Sequence, residues 1–171
     1  RQTIAAERAG SNAVIIDCMG DPGLAACREV VSIPVLGPCQ TSLHMAAMLG
    51  NRFSFITVLD RLRAMLDHLV ASYGLTSAYA SFDAVNVPVL DINHDTESLG
   101  RALAEKSIKA VREDHAGAIV LGCTGFFGLT DLISKGLAEQ GIDVPVIDPI
   151  PLTVHVADAL IKTGLSHSKY M

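Results

Sequence analysis

The stretch AIVLGCTGFFGL (118–129) repeats, without a gap, the pattern of AVIIDCMGDPGL (13–24). Ala13 matches Ala118, Cys18 matches Cys123, Gly20 matches Gly125 and Leu24 matches Leu129. A second block extends the repeat. IPVLGPCQTSLHMAAML (33–49) aligns with VPVIDPIPLTVHVADAL (144–160), so Pro34, Pro38, His44 and Leu49 meet Pro145, Pro149, His155 and Leu160. The offset is 105 residues in the first block and 111 in the second, which places a six-residue insertion between the blocks of the later copy. Repetition at this scale is duplication of a half-protein, not a solenoid period. It constrains the chain to two related lobes, each burying its own strands against its own helices.

The lobes read as α/β. NAVIID (12–17), IPVLG (33–37), RFSFITVL (52–59), VNVPVLD (85–91), GAIVLG (117–122) and VPVID (144–148) are short, rich in Val and Ile, and mostly without polar alternation. Strands buried on both faces of a parallel sheet look like this. Helical patterns lie between them. LRAMLDHLVASYG (62–74) carries an apolar stripe and stops at Gly74. TESLGRALAEKSIKAVRED (96–114) follows Asp95, a candidate N-cap. LTDLISKGLAEQG (129–141) ends at a glycine, and PLTVHVADALIKTG (151–164) opens on a proline. The remaining LSHSKYM reads as a frayed tail.

The expected division is residues 1–50 for the first lobe, with helix 151–164 packing back on it, and 51–150 for the second. The second copy has a strand–helix–strand–helix lead-in over 52–117, whereas the first has only RQTIAAERAGS, the end of a helix. By symmetry, roughly 50 residues bearing two strands and a helix are expected ahead of Arg1, and the first sheet should hold fewer strands than the second.

Composition narrows the partners. The net charge of −5 argues against broad binding to nucleic acid phosphates, which needs a basic patch. No apolar stretch reaches the roughly 18 residues of a membrane span. No charged leader with an apolar core opens the chain, so a cytoplasmic protein is expected. Half the residues are hydrophobic, enough for a sizeable core, and this much apolar surface suggests a homo-oligomer. Cys18, Cys27, Cys39 and Cys123 form no CxxC pair and no zinc spacing, so free thiols and no metal are expected.

In an open parallel sheet, ligands bind outside the carboxyl ends of the strands. Cys18 and Cys123 each follow a strand and precede a glycine turn. A pseudo-twofold relation between the lobes would bring both thiols to one interlobe crevice, facing each other across a small anion. Backbone N–H groups near Met19–Gly20 and Thr124–Gly125, at the expected helix starts, would cup that anion and favour thiolate. Opposed thiols suit inversion at carbon, in which one removes a proton beside a carbonyl and the other returns a proton to the opposite face. No cofactor is needed for that chemistry.

Neighbouring residues have blander readings. Thr124 is a hydroxyl donor to substrate or a helix cap. Phe126 and Phe127 form an apolar wall for a substrate side chain or a seal between lobes. Asp21-Pro22-Gly23 reads as the start of the helix that follows. Cys27 reads as core, Cys39 as close to the pocket without a catalytic role, and His44 and His155 as satisfied core or interlobe histidines.

These motifs resemble those of the Asp/Glu/hydantoin racemase superfamily, most closely its hydantoin racemase branch. That branch has a Cys-x-x-Asp-Pro-Gly-Leu motif, present as Cys18 to Leu24, and a Gly-Cys-(Ala/Thr)-Gly motif, present as Gly122 to Gly125. The resemblance covers nearly the whole chain. It implies two pseudo-symmetric, Rossmann/flavodoxin-like lobes with the active site between them. It also implies cofactor-independent racemisation of a hydantoin, an allantoin-like ureide or a related amino-acid derivative, with Cys18 and Cys123 as the acid/base pair. The family's opening Asn-Pro-Asn strand is absent, and Pro38-Cys39-Gln40-Thr41-Ser42 stands where an acidic residue and small ones are common. Two other readings stay open. One is a single-cysteine lyase or cis–trans isomerase of the arylmalonate decarboxylase or maleate isomerase type. The other is a non-catalytic binder of a small anion.

Overall fold

The computed structural model describes residues 1–92 and 94–170. The elements run α1 (Gln2–Arg8), β1 (Val14–Ile15), α2 (Leu24–Val30), β2 (Val35–Leu36), α3 (Pro38–Gly50), β3 (Phe53–Thr57), α4 (Arg63–Ser72) and β4 (Tyr79–Ala84). They continue through α5 (Thr96–Asp114), β5 (Ala118–Leu121), α6 (Thr130–Ala138), β6 (Val146–Ile147) and α7 (Pro149–Thr163). The strands form two parallel sheets, one of β1-β2 and one in the order β4-β3-β5-β6.

The repeat is realised residue by residue. Val14 and Ile15 pair with Val35 and Leu36, and their counterparts Ile119 and Val120 pair with Val146 and Ile147. Val14 N–H donates to the Pro34 carbonyl at 2.9 Å, and Ile119 N–H donates to the Pro145 carbonyl at 2.9 Å. The inserted residues of the later copy lengthen α6 to nine residues against seven in α2, and lengthen the link to β6.

Strand alternation divides the core of the larger sheet. Ile56, Ile119 and Leu121 face Leu99, Leu103 and Ala110 of α5 and Ile133 and Leu137 of α6. Phe53, Phe55, Ala118 and Val120 point the other way, onto Leu43 and Ala46 of α3 and Leu66 and Val70 of α4. Successive side chains of a strand leave opposite faces, so unbroken apolar runs such as FSFIT and AIVL fill both layers. Helix α7 packs along α3 and reaches β1 and β2. Asp95 caps α5, accepting a hydrogen bond from Ser98 N–H at 2.9 Å. Among the described residues no helix is long and apolar enough to cross a membrane.

Two expectations are corrected. The fourth strand is not 85–91 but Tyr79–Ala84, and Val89–Asp91 forms a 3-10 turn. The reason is that only one face of β4 is apolar. Phe82 and Ala84 are buried on the α3–α4 side, while Ser81 and Asp83 are half-buried on the α5 side, against Ser54 and, at 2.9 Å, Lys106. Pro88 lacks the N–H that a ladder would require.

The second correction concerns the tail, of which Met171 lies outside the described residues. Ser166 Oγ donates to the Ser32 carbonyl at 2.6 Å, and Lys169 donates to the carbonyls of Arg28 and Val31. His167 Nε2 lies 3.0 Å from Val35 N and 2.8 Å from the Val35 carbonyl oxygen, accepting from the N–H in one tautomer and donating to the carbonyl in the other. The tail thus occupies backbone groups of α2, β2 and the link between them instead of fraying.

Burial, aided by the nearby Arg28 charge, holds the His167 ring below the usual imidazole range. A base whose affinity for protons is lower when docked binds more protons once released. The docked tail is therefore favoured above the ordinary imidazole value, about 6.5, and loses that advantage as pH falls from there through the lower value of the docked ring. Amide exchange at Val35, corrected for its intrinsic pH dependence, is expected to speed up as pH drops through this window. The His167→Ala variant should exchange fast at every pH.

Candidate functional site

Glycine sets the end of β5. A Cβ on Gly122 would lie 2.2 Å from Phe55 Cε1, so no larger residue fits while β3 and β5 stay paired. Thr57 Oγ1 donates to the Gly122 carbonyl at 2.8 Å and ties the strand ends together. Cys123 follows in extended backbone, φ −146° and ψ 131°, ahead of a 3-10 turn over Thr124–Phe126.

The Cys18 turn has the same wiring. Asp21 N–H donates to the Cys18 carbonyl at 3.0 Å, and its counterpart Phe126 N–H donates to the Cys123 carbonyl at 3.1 Å. Gly20 N–H meets Cys18 Sγ at 3.4 Å. The first turn therefore aims the N–H two residues ahead at its own sulfur. At the second turn Gly125 N–H favours the ionised Cys123 thiol, in opposition to its burial.

The two thiols differ in environment. Cys18 is exposed and Cys123 is half-buried; all four cysteines are free. Burial pushes the Cys123 thiol up, against Gly125 N–H, and negative charge at Cys18 and Asp17 adds to the rise. Charge on the first turn is thus felt at the second sulfur.

A buried carboxylate anchors the first turn. Asp21 is 6% exposed and sits at φ 45°. Its oxygens accept from Cys39 N–H at 3.1 Å, Gln40 N–H at 2.7 Å and the Tyr73 hydroxyl at 2.7 Å. It therefore caps α3, not the α2 that follows it in sequence, which corrects the helix-start reading. Gly37 makes the room, since a Cβ there would lie 2.4 Å from Asp21 Cγ.

The second lobe reaches the same end from the other side. Asp148, the counterpart of Gly37, accepts from Ile150 N–H at 3.2 Å and from Gly128 N–H of the Cys123 loop at 3.1 Å. The counterpart of Asp21 is the fully buried Phe126.

The other expected positions fall as follows. Helix α2 begins at Leu24 and α6 at Thr130, so no α-helix opens at Gly20 or Gly125. The helix N-termini beside the two turns are those of α3 and α7. Met19 buries its side chain among Cys39, Leu43, Phe55 and Leu66, leaving its backbone to the turn. Thr124 is half-buried, and Gly125 is exposed with Ile92 Cδ1 3.0 Å from where a Cβ would stand. Phe126 is 0% exposed and packs with Leu129 and Ile133, so its ring is core and not a wall for a ligand. Phe127, beside it, is 66% exposed.

Cys39 is buried in the first turn of α3, and burial, with charge at Asp21 and Cys18, pushes its thiol far up. Cys27 is half-buried and receives the Thr3 hydroxyl at 3.2 Å. His44 and His155 are exposed on α3 and α7, not core, because each stands on the helix side turned from the sheet. Sequence reasoning missed the Asp21–Tyr73 contact. The available signal was the reciprocal exchange in the repeat, Asp21 for Phe126 and Gly37 for Asp148.

The family profile described as Asp/Glu/Hydantoin racemase matches residues 1–157. A hydantoin racemase of Pseudomonas sp. (strain NS671) is 40% identical over 163 residues, 95% of this chain and 64% of the relative. That of Rhizobium meliloti is 39% identical over 95% of this chain and 66% of the relative. Allantoin racemase from Klebsiella pneumoniae superposes with a TM-score of 0.90 at 36% identity, over 99% of this chain and 67% of that one. The chain thus spans a little under two thirds of the first relative's length.

The raised Cys123 thiol has a direct consequence. The thiolate is the nucleophile, so a thiol held protonated reacts slowly. Near neutral pH, alkylation of Cys123 by iodoacetamide is expected to run several-fold slower than that of free glutathione, as followed by peptide mass spectrometry. A rate equal to or above that of glutathione would contradict this environment.

Proposed function

The chain belongs to the Asp/Glu/hydantoin racemase family, and on that premise we propose that it acts as a cofactor-independent racemase of hydantoin- or allantoin-like ureides, with Cys18 and Cys123 as its two acid/base groups. The observation that carries this reading is the duplicated turn. Two cysteines follow parallel strands, each with the same carbonyl bond behind it; Gly20 N–H meets the first sulfur, and Gly125 N–H favours the ionised form of the second. The effect of Cys18 on Cys123 supports a shared space. The names of the hydantoin and allantoin racemases among the relatives support the substrate class.

The chemistry follows from two thiols in opposite protonation states. One thiolate takes the proton from the carbon beside the carbonyl and becomes a thiol. The electron pair left behind delocalises onto the carbonyl oxygen as an enolate. The second thiol gives its proton to the opposite face of the same carbon and becomes a thiolate. Backbone N–H groups at Met19–Gly20 and Thr124–Gly125 lie in the turns where the enolate charge would be met. The reverse reaction uses the same pair with roles exchanged, so both enantiomers are substrates.

The two environments are unequal: Cys123 is half-buried with its thiol pushed up, which suits it to the donor role, while Cys18 is exposed.

Single substitutions test the scheme. Cys18→Ser and Cys123→Ser are each expected to abolish racemisation, with a loss of at least about 10²–10⁴-fold, the usual worth of one acid–base group. Each variant should still exchange the Cα proton of one enantiomer with solvent deuterium, and the two should prefer opposite enantiomers. Retained racemisation in either variant, with circular dichroism unchanged, would overturn the paired mechanism. Carbon dioxide release would favour a single-cysteine decarboxylase, and no exchange at all in the parent protein a binder.

A further inference from the structure

We propose that Asp21 is a positioning residue for the Cys18 thiol: anchored between α3 and α4, it holds the turn that directs Gly20 N–H at the sulfur. The assignment rests on the reading of Cys18 as an acid/base group. Three facts carry it.

First, the carboxylate is buried and fully engaged. Cys39 N–H, Gln40 N–H and Tyr73 Oη surround it, from two different helices and their ends. A buried carboxylate with three donors is held far more firmly than an exposed loop residue.

Second, the anchored residue is next to the group that touches the thiol. Gly20 N–H bonds Cys18 Sγ, and Asp21 N–H bonds the Cys18 carbonyl. Asp21 adopts φ 45°, a conformation that Asp tolerates better than most residues but that still needs support from outside. Release of the carboxylate frees this backbone, and the Gly20 N–H···S contact goes with it.

Third, the cysteine turn of the second lobe is held by a carboxylate too, supplied from the helix side. Asp148 bonds Gly128 N–H, and the matched Gly37 is barred from carrying a side chain by Asp21 itself. Each lobe uses one carboxylate to join its cysteine turn to the helix after the next strand. That regularity belongs to the pair of turns, not to the stability of one loop.

The charged and titratable groups around the Cys18 turn are Asp17, Asp21, Cys39, Tyr73 and Cys123, with Arg28 acting on Asp21 and Tyr73. Loss of negative charge at Asp21 would, through space alone, favour a neighbouring thiolate and speed its reactions. Loss of the N–H···S contact would slow them. The sign of the change therefore separates positioning from simple charge. Access is not limiting, because Cys18 is already exposed.

The test is alkylation of Cys18 and Cys123 by iodoacetamide near neutral pH, quantified by peptide mass spectrometry, with thermal unfolding followed by circular dichroism. In Asp21→Asn, Cys18 is expected to react about threefold to tenfold more slowly, the worth of one hydrogen bond to sulfur, with Cys123 changed by less than about twofold. Tyr73→Phe, which keeps the carboxylate, should slow Cys18 by a smaller factor in the same direction. Asp21→Ala combined with Gly37→Asp rebuilds the second lobe's arrangement in the first, and should restore the Cys18 rate to within about twofold of the parent. Faster or unchanged Cys18 alkylation in Asp21→Asn overturns the assignment, as does equal slowing at both cysteines. Should Asp21→Asn fail to fold, an unchanged Cys18 rate in Tyr73→Phe overturns it. Turnover does not enter this readout. A Cys18→Ser variant that still racemises would sink the paired mechanism whatever the alkylation rates, so the two failures are told apart.

Discussion

A carboxylate wedged between a strand-end turn and a helix N-terminus organises this molecule. In a parallel sheet the turns leaving the strands and the helices entering after them gather at one edge. Helix α3 starts directly after β2 with Pro38, so the N–H groups of Cys39 and Gln40 open onto that edge without intrahelical partners. Asp21 satisfies both and takes the Tyr73 hydroxyl as well. Charge-assisted bonds of this kind contribute about 1.5–3 kcal/mol each where the partner would otherwise be buried and unpaired. Strand, turn, α3 and α4 are joined through one side chain, and the exposed Cys18 lies three residues before it in the same turn.

The second lobe keeps the interaction and changes its donor. Its carboxylate is Asp148, at the cap of α7, and the loop position opposite is filled by the buried ring of Phe126. The exchange has a steric basis. Gly37 has no space for a Cβ beside Asp21, so the junction of the first lobe admits only one carboxylate. Duplication therefore preserved a physical requirement while the residues meeting it moved. It also left the two cysteines unlike. Cys18 is exposed and Cys123 half-buried, with its thiol pushed up. For the proposed reaction this asymmetry is useful, since an inversion at carbon begins with one thiolate and one thiol.

Legibility in the sequence followed from where each signal is encoded. Helix α5 was readable to its ends, because cap, apolar stripe and final residues are local. The cysteine strands were readable because the repeat states them twice; the register of Val14 with Val35 and Ile119 with Val146 came with the structure. Strand β4 was not, since with Ser81 and Asp83 on the face towards α5 it carries half the apolar signal of its neighbours. The runs that flank it, including Val85 and Val87, are more apolar yet serve the loop. The tail was misread for a related reason: its partners Ser32 and Val35 lie more than 130 residues away.

By itself the sequence determined the α/β architecture, the duplicated strand and turn, and the cysteine at each strand end. All three are written in contiguous residues, as periodicity and repetition. Only tertiary structure decided which helix the Asp21 carboxylate would cap, that Phe126 would turn inward while Phe127 stayed outside, and that the two thiols would differ in burial. Each of these depends on groups brought together from separate elements: Tyr73 and Gln40 onto Asp21, Leu129 and Ile133 onto Phe126, Asp17 and Cys18 onto Cys123. A hydrogen bond or a desolvated surface is a property of the pair in space, and no single stretch of chain contains both partners.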